Sequence, residues 1–223
     1  MLFRSLNLGE TSSALVIGGT SSGIGNGGSV ALSVAGTAYS TTVTNNIWSL
    51  SLSSDQAKAL IDGSIAITAD ASDAAGNAAS RASASFIKDT LLPSSTPTVN
   101  AISTNSLNPA AITLSGTASL GSGESLRVTL NGAVWLNVPV SAGTWSLNLG
   151  TSPSSGTLAS FFNGVSYPVT ATISDAAGNG VSDTSTNELT IAAAAPVAPT
   201  VNSLTTSNDK DRKSTRLNSS HLV

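Results

Sequence analysis

Hydrophobic and polar residues alternate with a period of two along several short stretches of the chain. Such alternation is typical of β-strands that bury one face of a sheet. Asn131-Gly132 favours a type I′ hairpin, and Gly76 and Gly178 favour turns with positive φ. The apolar positions that share a face are Val30, Leu32 and Val34; Trp48, Leu50 and Leu52; Ile65, Ile67 and Ala69; Leu126, Val128 and Leu130; Trp145, Leu147 and Leu149; and Tyr167, Val169, Ala171 and Ile173.

The same order of motifs occurs twice along the chain. Between the two occurrences the shift changes once, from 97 to 102 residues, so the second copy carries an insertion near Phe161 and Phe162. A period of about 100 residues is too long for a solenoid unit and suits a tandem array of domains. The recurring motifs are Gly-Thr at 19 and 116, Trp-Ser-Leu at 48 and 145, Ser-Asp-Ala-Ala-Gly-Asn at 72 and 174, and Pro-Thr-Val-Asn at 97 and 199.

The strand pattern predicts an all-β protein of tandem β-sandwiches with about seven antiparallel strands each. The boundaries place the first repeat at 11–95 without its opening strand, the second at 96–196, and the start of a truncated third at 197–210. Trp48 and Trp145 are expected to fill equivalent places between the sheets. One helical turn is predicted over residues 55–60.

Composition excludes several classes of protein. The chain has no Cys, and its single His is His221, so a disulfide scaffold, a Cys-based zinc site and a Cys nucleophile are excluded, and a Ser-His-Asp triad would need a residue near the end. Charged residues make up 9% of the chain and the net charge is −3, with no basic cluster in its body. Nucleic acid is therefore not an expected partner. No apolar run approaches the roughly 18 residues that a membrane span needs.

Both ends of the chain differ from its body. The basic run 211–221 matches the translation of a common sequencing-library adapter, and residues 2–5 match that of the paired adapter. We interpret residues 1–5 and 211–223 as adapter-derived artefacts, the alternative being a natural basic tail. They are expected to pack against nothing, and deleting them should leave the thermal midpoint unchanged. The natural gene is then expected to extend past both ends, and the net charge of its part present here is −6.

The constellation of motifs resembles the bacterial immunoglobulin-like repeats of large secreted or surface adhesins. The second copy carries Asn-Gly at 131, Gly-Thr-Trp-Ser-Leu at 143, a strand from Tyr167 into Asp-Ala-Ala-Gly-Asn at 175, and a Pro-rich joint at 196–199. The first copy is looser, since Asn46-Ile47 precedes its Trp and Ile65 replaces the Tyr. The resemblance covers residues 14–205. It implies tandem immunoglobulin-like β-sandwiches that are extracellular, non-catalytic spacers, often with Ca²⁺ stiffening the joints.

A glycine-rich segment at 16–25 is similar to the dinucleotide-binding loop of short-chain dehydrogenases. No helix pattern follows it, because residues 29–34 alternate as a strand. Neither Tyr39 nor Tyr167 has a Lys four residues later, as that family's catalytic pair requires. We therefore interpret the segment as a loop between strands rather than a nucleotide site, and predict no enzyme activity.

Three carboxylates are candidate calcium ligands. Asp73 and Asp175 lie where a strand enters a turn, and either turn formation or Ca²⁺ binding would explain them. Asp89 lies in a segment that resembles the family's linker, where an Asp contributes to an interdomain site. Asp73 and Asp89 are expected to meet at the joint between the copies. The second copy has Ala at the linker position, and Asp183 and Glu188 are expected to be solvated.

The favoured function is that of structural spacer repeats of a bacterial cell-surface or secreted adhesin. Neighbouring repeats of the same chain are the expected partners, with a host or biofilm ligand left unidentified. The alternative is a carbohydrate-binding module of an extracellular enzyme, which would need exposed aromatic residues. The candidates for such a surface are Tyr39, Trp135, Phe161 and Phe162.

Overall fold

The computed structural model describes residues 5–192 and Thr200. The predicted third repeat at 197–210, Thr200 apart, and the predicted artefact at 211–223 lie outside the described residues. The described chain is built from β-strands, with one short α-helix and two 3₁₀ turns, so the all-β prediction is confirmed. No helix in the described part is long and apolar enough to cross a membrane.

The first copy forms two sheets. One sheet has the order β1-β7-β6-β3-β4, and the other pairs β2 with β5. The α-helix α1 follows β5, as the sequence predicted, and a capping box of Ser53 and Gln56 begins it. The elements are β1 (Ser5–Leu6), β2 (Leu15–Thr20), β3 (Ser29–Val34), β4 (Thr37–Thr42), β5 (Ile47–Leu52), α1 (Ser54–Ala59), β6 (Gly63–Ala71) and β7 (Ala82–Lys88).

The second copy repeats this arrangement with more interruptions. Its sheets have the orders β14-β11-β10-β16-β17, β12-β13-β9 and β15-β18-β8. The strands are β8 (Ile102–Thr104), β9 (Thr113–Thr117), β10 (Ser125–Leu130), β11 (Ala133–Trp135), β12 (Val140–Ser141), β13 (Thr144–Asn148), β14 (Ser155–Gly156), β15 (Val165–Tyr167), β16 (Val169–Ser174), β17 (Gly180–Ser182) and β18 (Leu189–Ile191).

Register shows that the two copies have equivalent strands. Gly19 lies opposite Trp48 in the β2–β5 pair, and Gly116 lies opposite Trp145 in the β9–β13 pair. One pair in each copy is parallel rather than antiparallel: β1 with β7, and β8 with β18. The prediction of antiparallel strands holds for the other pairs, and the parallel pair arises because the opening strand crosses to the sheet that holds the last strand.

Each copy has its own hydrophobic core between its sheets. The alternating apolar residues singled out in the sequence point inward, as shown by Val34 and Leu126, which are fully buried. The core of the first copy is smaller, and Trp48 and Leu50 are only partly buried at its edge. The core of the second copy includes Trp145, Phe161 and further residues of both layers.

The two tryptophans occupy equivalent positions, but their environments differ. Trp145 is 2% exposed, and its Nε1 donates a 3.0 Å hydrogen bond to the carbonyl oxygen of Thr98. Thr98 belongs to an extended segment that bonds along β9, with its own N–H donating to Thr117. Among the described residues no such segment covers Trp48, which is why its ring is half-buried.

The predicted insertion lies between equivalent strands. In the first copy α1 connects β5 to β6, while in the second copy a longer segment with β14 connects β13 to β15. Phe161 of that segment packs edge-on against Tyr167, with ring centroids 5.1 Å apart. The insertion thus supplies core residues that the first copy replaces with a helix.

Glu188 and Asp183 correct a prediction, because they are structural rather than simply solvated. Glu188 is 3% exposed, and its Oε2 accepts a 2.8 Å hydrogen bond from the N–H of Val169. Asp183 Oδ1 accepts from the N–H of Ala171 at 2.9 Å. Residues 183–188 loop away between β17 and β18, so these carboxylates satisfy strand N–H groups that would otherwise be unpaired.

The start of the described chain also differs from expectation. Residues 1–5 were expected to pack against nothing, but Ser5 pairs with Ile87 in the β1–β7 ladder. Residues 1–4 lie outside the described residues. Leu6, beside it, is 6% exposed, so β1 belongs with the first copy. This copy therefore begins before the predicted boundary at residue 11, and β1 is its counterpart of β8, the opening strand that was expected to be missing.

Candidate functional site: the joint between the copies

The Asp-Ala-Ala-Gly-Asn motif forms the same turn in both copies. In the first copy, Asp73 Oδ1 accepts from the N–H groups of Ala75 and Asn77 at 2.9 and 2.8 Å. Asn77 Nδ2 donates to Asp73 Oδ2 at 2.8 Å. Gly76 has a φ of 87°, a region in which side chains are disfavoured. The carboxylate therefore organises the turn, which is one of the two roles that the sequence left open.

The second copy repeats both bonds of the Asn, while the N–H of Gly178 takes the place of that of Ala75. Asp175 Oδ1 accepts from the N–H groups of Gly178 and Asn179 at 2.8 and 2.9 Å. Asn179 Nδ2 donates to Asp175 Oδ2 at 2.8 Å. The two loops thus hold their Asn side chains in matching positions through bonds within each loop.

Hydrogen bonding shifts the pKa of one of these carboxyls. The side-chain amide of Asn77, together with backbone N–H groups, holds the pKa of Asp73 below its usual value. These donors favour the charged form of the carboxylate. Asp73 therefore stays ionised in the folded turn to lower pH than in an unfolded chain.

Asp73 and Asp89 do not meet, which corrects the expectation that both point into one joint. They follow opposite ends of the β6–β7 hairpin, in which Gly63 pairs with Lys88 at one end and Ala69 with Ala82 at the other. Six residue steps along a strand separate these ends by about 20 Å. The joint lies at the Asp89 end, and the loop of the second copy, not of the first, reaches it.

Asn179 connects the two copies. Its side chain is 4% exposed, its Nδ2 donates to the carbonyl oxygen of Asp89 at 2.9 Å, and its Oδ1 accepts from the N–H of Leu8 at 2.8 Å. A third bond runs from Asn7 Nδ2 to the carbonyl oxygen of Ala177 at 3.2 Å. A side chain of the second copy thus bonds two backbone groups that lie 81 residues apart in the first.

Asp89 takes part in the joint through its backbone. Its N–H donates to the carbonyl oxygen of Leu6 at 3.0 Å, and its carbonyl oxygen accepts from Asn179. Its side-chain Oδ1 accepts from the N–H of Leu91 at 3.1 Å and so caps the turn that begins the linker. The residue predicted from the linker resemblance does lie at the joint, with its carboxylate engaged in the linker itself.

An ion pair anchors the linker to the first copy. Lys88 is 5% exposed, and its Nζ lies 3.0 Å from Asp62 Oδ1 and donates to the carbonyl oxygen of Leu60 at 2.6 Å. Asp62 Oδ2 accepts from the N–H of Thr90 at 3.0 Å. The Thr90 N–H, and after it the Lys88 ammonium, lower the pKa of Asp62.

Sequence reasoning missed Asn7, Asn179, Asp62 and Lys88 as joint residues. The signal for Asn179 is present in the sequence, because this Asn closes the motif that occurs at both 72 and 174. Asn7 follows β1 as Asn105 follows β8, and only the strand register reveals that equivalence.

The joint does not bring the three candidate calcium ligands together. Among residues 5–192 no group of three or more His, Cys, Asp or Glu side chains is arranged to hold a metal ion. Asp73 is remote from Asp89, while Asp89 and Asp175 both belong to the joint but already accept hydrogen bonds. Ca²⁺ takes six to eight oxygen ligands, so a site that used Asp89 and Asp175 would need backbone carbonyl groups and water to complete it.

The structure also shows the surroundings of the aromatic residues that a carbohydrate-binding surface would use, and of the glycine-rich segment. Trp135 is 3% exposed and its Nε1 donates to the carbonyl oxygen of Thr151, and Phe161 is 4% exposed, so neither can stack on a sugar. Tyr39 is half-buried and Phe162 is 64% exposed. The glycine-rich segment at 16–25 is only partly the predicted loop, because its first half lies in β2, which pairs antiparallel with β5 and leads into β3 without a helix. That geometry lacks the helix N-terminus that a pyrophosphate site needs.

Comparisons with known proteins give structural relatives. No family model and no curated protein matches the chain. The chain is similar to a Ca²⁺-stabilized adhesin with which an Antarctic bacterium binds ice, at 29% identity over 83% of this chain and 46% of that one, with a TM-score of 0.44. It is similar to a 1.5-MDa bacterial ice-binding adhesin, at 27% identity over 84% and 61% of the two chains, with a TM-score of 0.43.

A third similar structure is that of the fibronectin(III)-like modules of Clostridium thermocellum CbhA. Its identity is 13% over 85% of this chain and 90% of that one, with a TM-score of 0.48. The chain therefore spans about half to three fifths of the two adhesin structures and nine tenths of the structure of the fibronectin(III)-like modules.

Proposed function

We propose that the two copies are non-catalytic spacer repeats of a bacterial cell-surface or secreted adhesin. The observation that carries the proposal is the joint itself, in which Asn179 of one copy hydrogen-bonds Leu8 and Asp89 of the other. Two domains coupled by direct bonds transmit position along a chain better than two domains on a free linker. Such coupling is what a spacer needs.

The surface composition supports the same role. Lys and Arg number 9 against 12 Asp and Glu over the whole chain, and charged residues make up 9% of it. A mildly acidic, Ser- and Thr-rich surface resists association between units that lie close together at high local concentration. Neighbouring repeats of the same chain are the partners, and the ligand of the complete protein would be held by another part.

A display experiment tests the spacer role. The full chain would be placed between a membrane anchor and a binding domain of known target on a bacterial surface, and adhesion to target-coated beads measured. We expect adhesion to persist when an unrelated two-domain spacer of equal length replaces the chain, and to fall when the chain is deleted. Binding of the chain alone to host or biofilm material, or to polysaccharides, would contradict a spacer and favour the carbohydrate-binding alternative.

Calcium at the joint is a separate proposal that follows from the family resemblance. Asp89 and Asp175 would have to contribute, with backbone carbonyl groups and water completing the ligands. Calorimetric titration with Ca²⁺ of the full chain, beside Asp89→Ala, tests it. Equal melting temperatures in millimolar Ca²⁺ and in chelator would rule calcium out without affecting the spacer proposal, because the hydrogen bonds described above hold the joint without a metal.

A further inference from the structure

The Asp73–Asn77 loop of the first copy is a duplicate of a loop that is docked elsewhere in the same chain. Both loops share the bonds from the Asn backbone N–H and from the Asn side-chain amide to the Asp carboxylate, the latter at 2.8 Å in each. Asn179 is buried against the first copy, whereas Asn77 is exposed. The difference between the loops therefore lies in what covers them and not in how they fold.

The hydrogen-bonding groups that Asn77 leaves unused are the ones that Asn179 uses across the joint. Asn179 uses one amide proton for Asp175 and the other for the Asp89 carbonyl, and its Oδ1 accepts from Leu8. Asn77 uses one amide proton for Asp73, and no group among the described residues bonds its Oδ1. One donor and one acceptor thus point from a preorganised turn, which lowers the entropic cost of binding.

The surface that receives Asn179 depends little on side chains. It consists of the Leu8 N–H, the Asp89 carbonyl oxygen and the Asn7 amide, which we call the joint face. The end of the second copy presents a similar face, because the N–H of Ala192 bonds the Thr104 carbonyl oxygen as that of Asp89 bonds Leu6. Asn105 follows Thr104 there, although the N–H of Ser106 already bonds Thr104 Oγ1.

We propose that the Asp73–Asn77 loop is a docking surface for the joint face of another copy of this repeat. The inference rests on the proposed function, since it requires that repeats follow one another in an array. It adds that each array joint is formed by the last Asn of this motif, with backbone groups as its acceptors and donors. A linker side chain can then vary, as from Asp89 to Ala192, without loss of the docking bonds.

An extended chain tests the proposal. Residues 5–102 are placed ahead of Ser5, so that a complete further copy and its linker precede the full chain. The junction keeps the register, because Ser5 and Leu6 pair with β7 as Ser103 and Thr104 pair with β18. The original Asn77 is then the counterpart of Asn179, while the Asn77 of the added copy stays free as an internal control.

Thermal unfolding of both chains gives the result. We expect Asn77→Ala to lower the melting temperature of the extended chain by several degrees, and to change that of the original chain little. The same substitution in the added copy should also change little, and Asn179→Ala should destabilise both chains. Hydrogen exchange at the Leu8 amide of the added copy should be slow in the extended chain and should become faster with Asn77→Ala in the original copy.

Equal effects of Asn77→Ala in the original and extended chains would overturn the docking surface, since the local bond to Asp73 would then explain everything. This outcome differs from failure of the spacer role, which appears as binding by the chain alone in the display assay. Loss of folding in a variant would show as missing β-sheet signal. In that case Asn77→Asp, which keeps the size of the side chain but removes its donor, replaces Asn77→Ala.

Discussion

Asn179 and Asp89 lie in different copies, and the side-chain Nδ2 of Asn179 donates a 2.9 Å hydrogen bond to the backbone carbonyl oxygen of Asp89. The same Asn is 4% exposed, so its amide is satisfied by protein groups rather than water. Losing a partner of a buried polar group costs more than losing an exposed hydrogen bond. Two of the three hydrogen bonds described between the copies are thus made by this one side chain.

Replacing Asn179 by Ala is expected to lower the free energy of unfolding by about 1–3 kcal/mol, because the Leu8 N–H and Asp89 carbonyl lose their partner. Asn77→Ala is the matched control, since it removes the same internal bond of the turn but no bond between copies. Urea denaturation measures both variants. Equal losses would mean that the joint bonds contribute nothing beyond the turn.

Replacing each of the two tryptophans by Ala should lower the free energy of unfolding by different amounts. Trp145→Ala is expected to destabilise the second copy by about 3–5 kcal/mol, as for other large buried side chains. Trp48→Ala should cost clearly less, because its ring is half-buried and no segment like that of Thr98 covers it. Differential scanning calorimetry can assign the two transitions. A larger loss for Trp48 would contradict the burial that distinguishes the sites.

Gly116 lies under Trp145, and a side chain there would not fit. An added Cβ would meet the Trp145 Nε1 at 2.7 Å and overlap the Thr98 carbonyl group. Gly116→Ala should therefore cost at least about 1–3 kcal/mol through overpacking. Gly25→Ala is the control, because nothing lies within 4 Å of its added Cβ. The urea midpoints of both variants show whether the loss of stability comes from close packing at Gly116 or from the replacement of any glycine. Equal midpoints would contradict the packing explanation.

Lys88 and Arg81 each pair with an Asp, but in different surroundings. Lys88 is 5% exposed, whereas the Arg81 and Asp70 side chains are 66% and 45% exposed. Lys88→Met should lower the urea midpoint and loosen the linker at Thr90, because Asp62 and the Leu60 carbonyl lose a buried donor. Arg81→Met should change the midpoint little, as exposed ion pairs contribute little. A reversed order would contradict the anchoring role of Lys88.

Acid should destabilise the protein through Asp62 and Asp73. Both have a folded pKa below the unfolded value, so their contribution is complete above the unfolded pKa of about 3.9 and is lost as pH falls through the folded pKa. Urea midpoints measured between about pH 2 and 6 should fall in the acid range, and Asp73→Asn should flatten that fall. If the urea midpoint of Asp73→Asn fell with pH as steeply as that of the unchanged protein, the hydrogen bonds of Asp73 would not contribute to the acid sensitivity of folding.

The amino-acid pattern by itself determined the fold class, the repeat and most of the core. Alternation with a period of two decides which face of a strand is buried, so Val34 and Leu126 could be assigned to the core without coordinates. The turns could be assigned as well, because positive φ at Gly76 and at Asn131-Gly132 follows from local backbone sterics.

Tertiary structure decided what the turns face. Asp73 and Asp175 have the same local sequence and the same turn, yet one lies at a free end and the other at the joint, because each hairpin has two ends and local sequence does not say which end meets a neighbour. The sequence likewise predicts a solvated carboxylate at Glu188. In the structure its side chain is buried, because it accepts a hydrogen bond from the N–H of Val169 at the start of β16. Contacts between residues far apart in sequence, such as Leu8 and Asn179, depend on the packing of whole domains, which no short motif encodes.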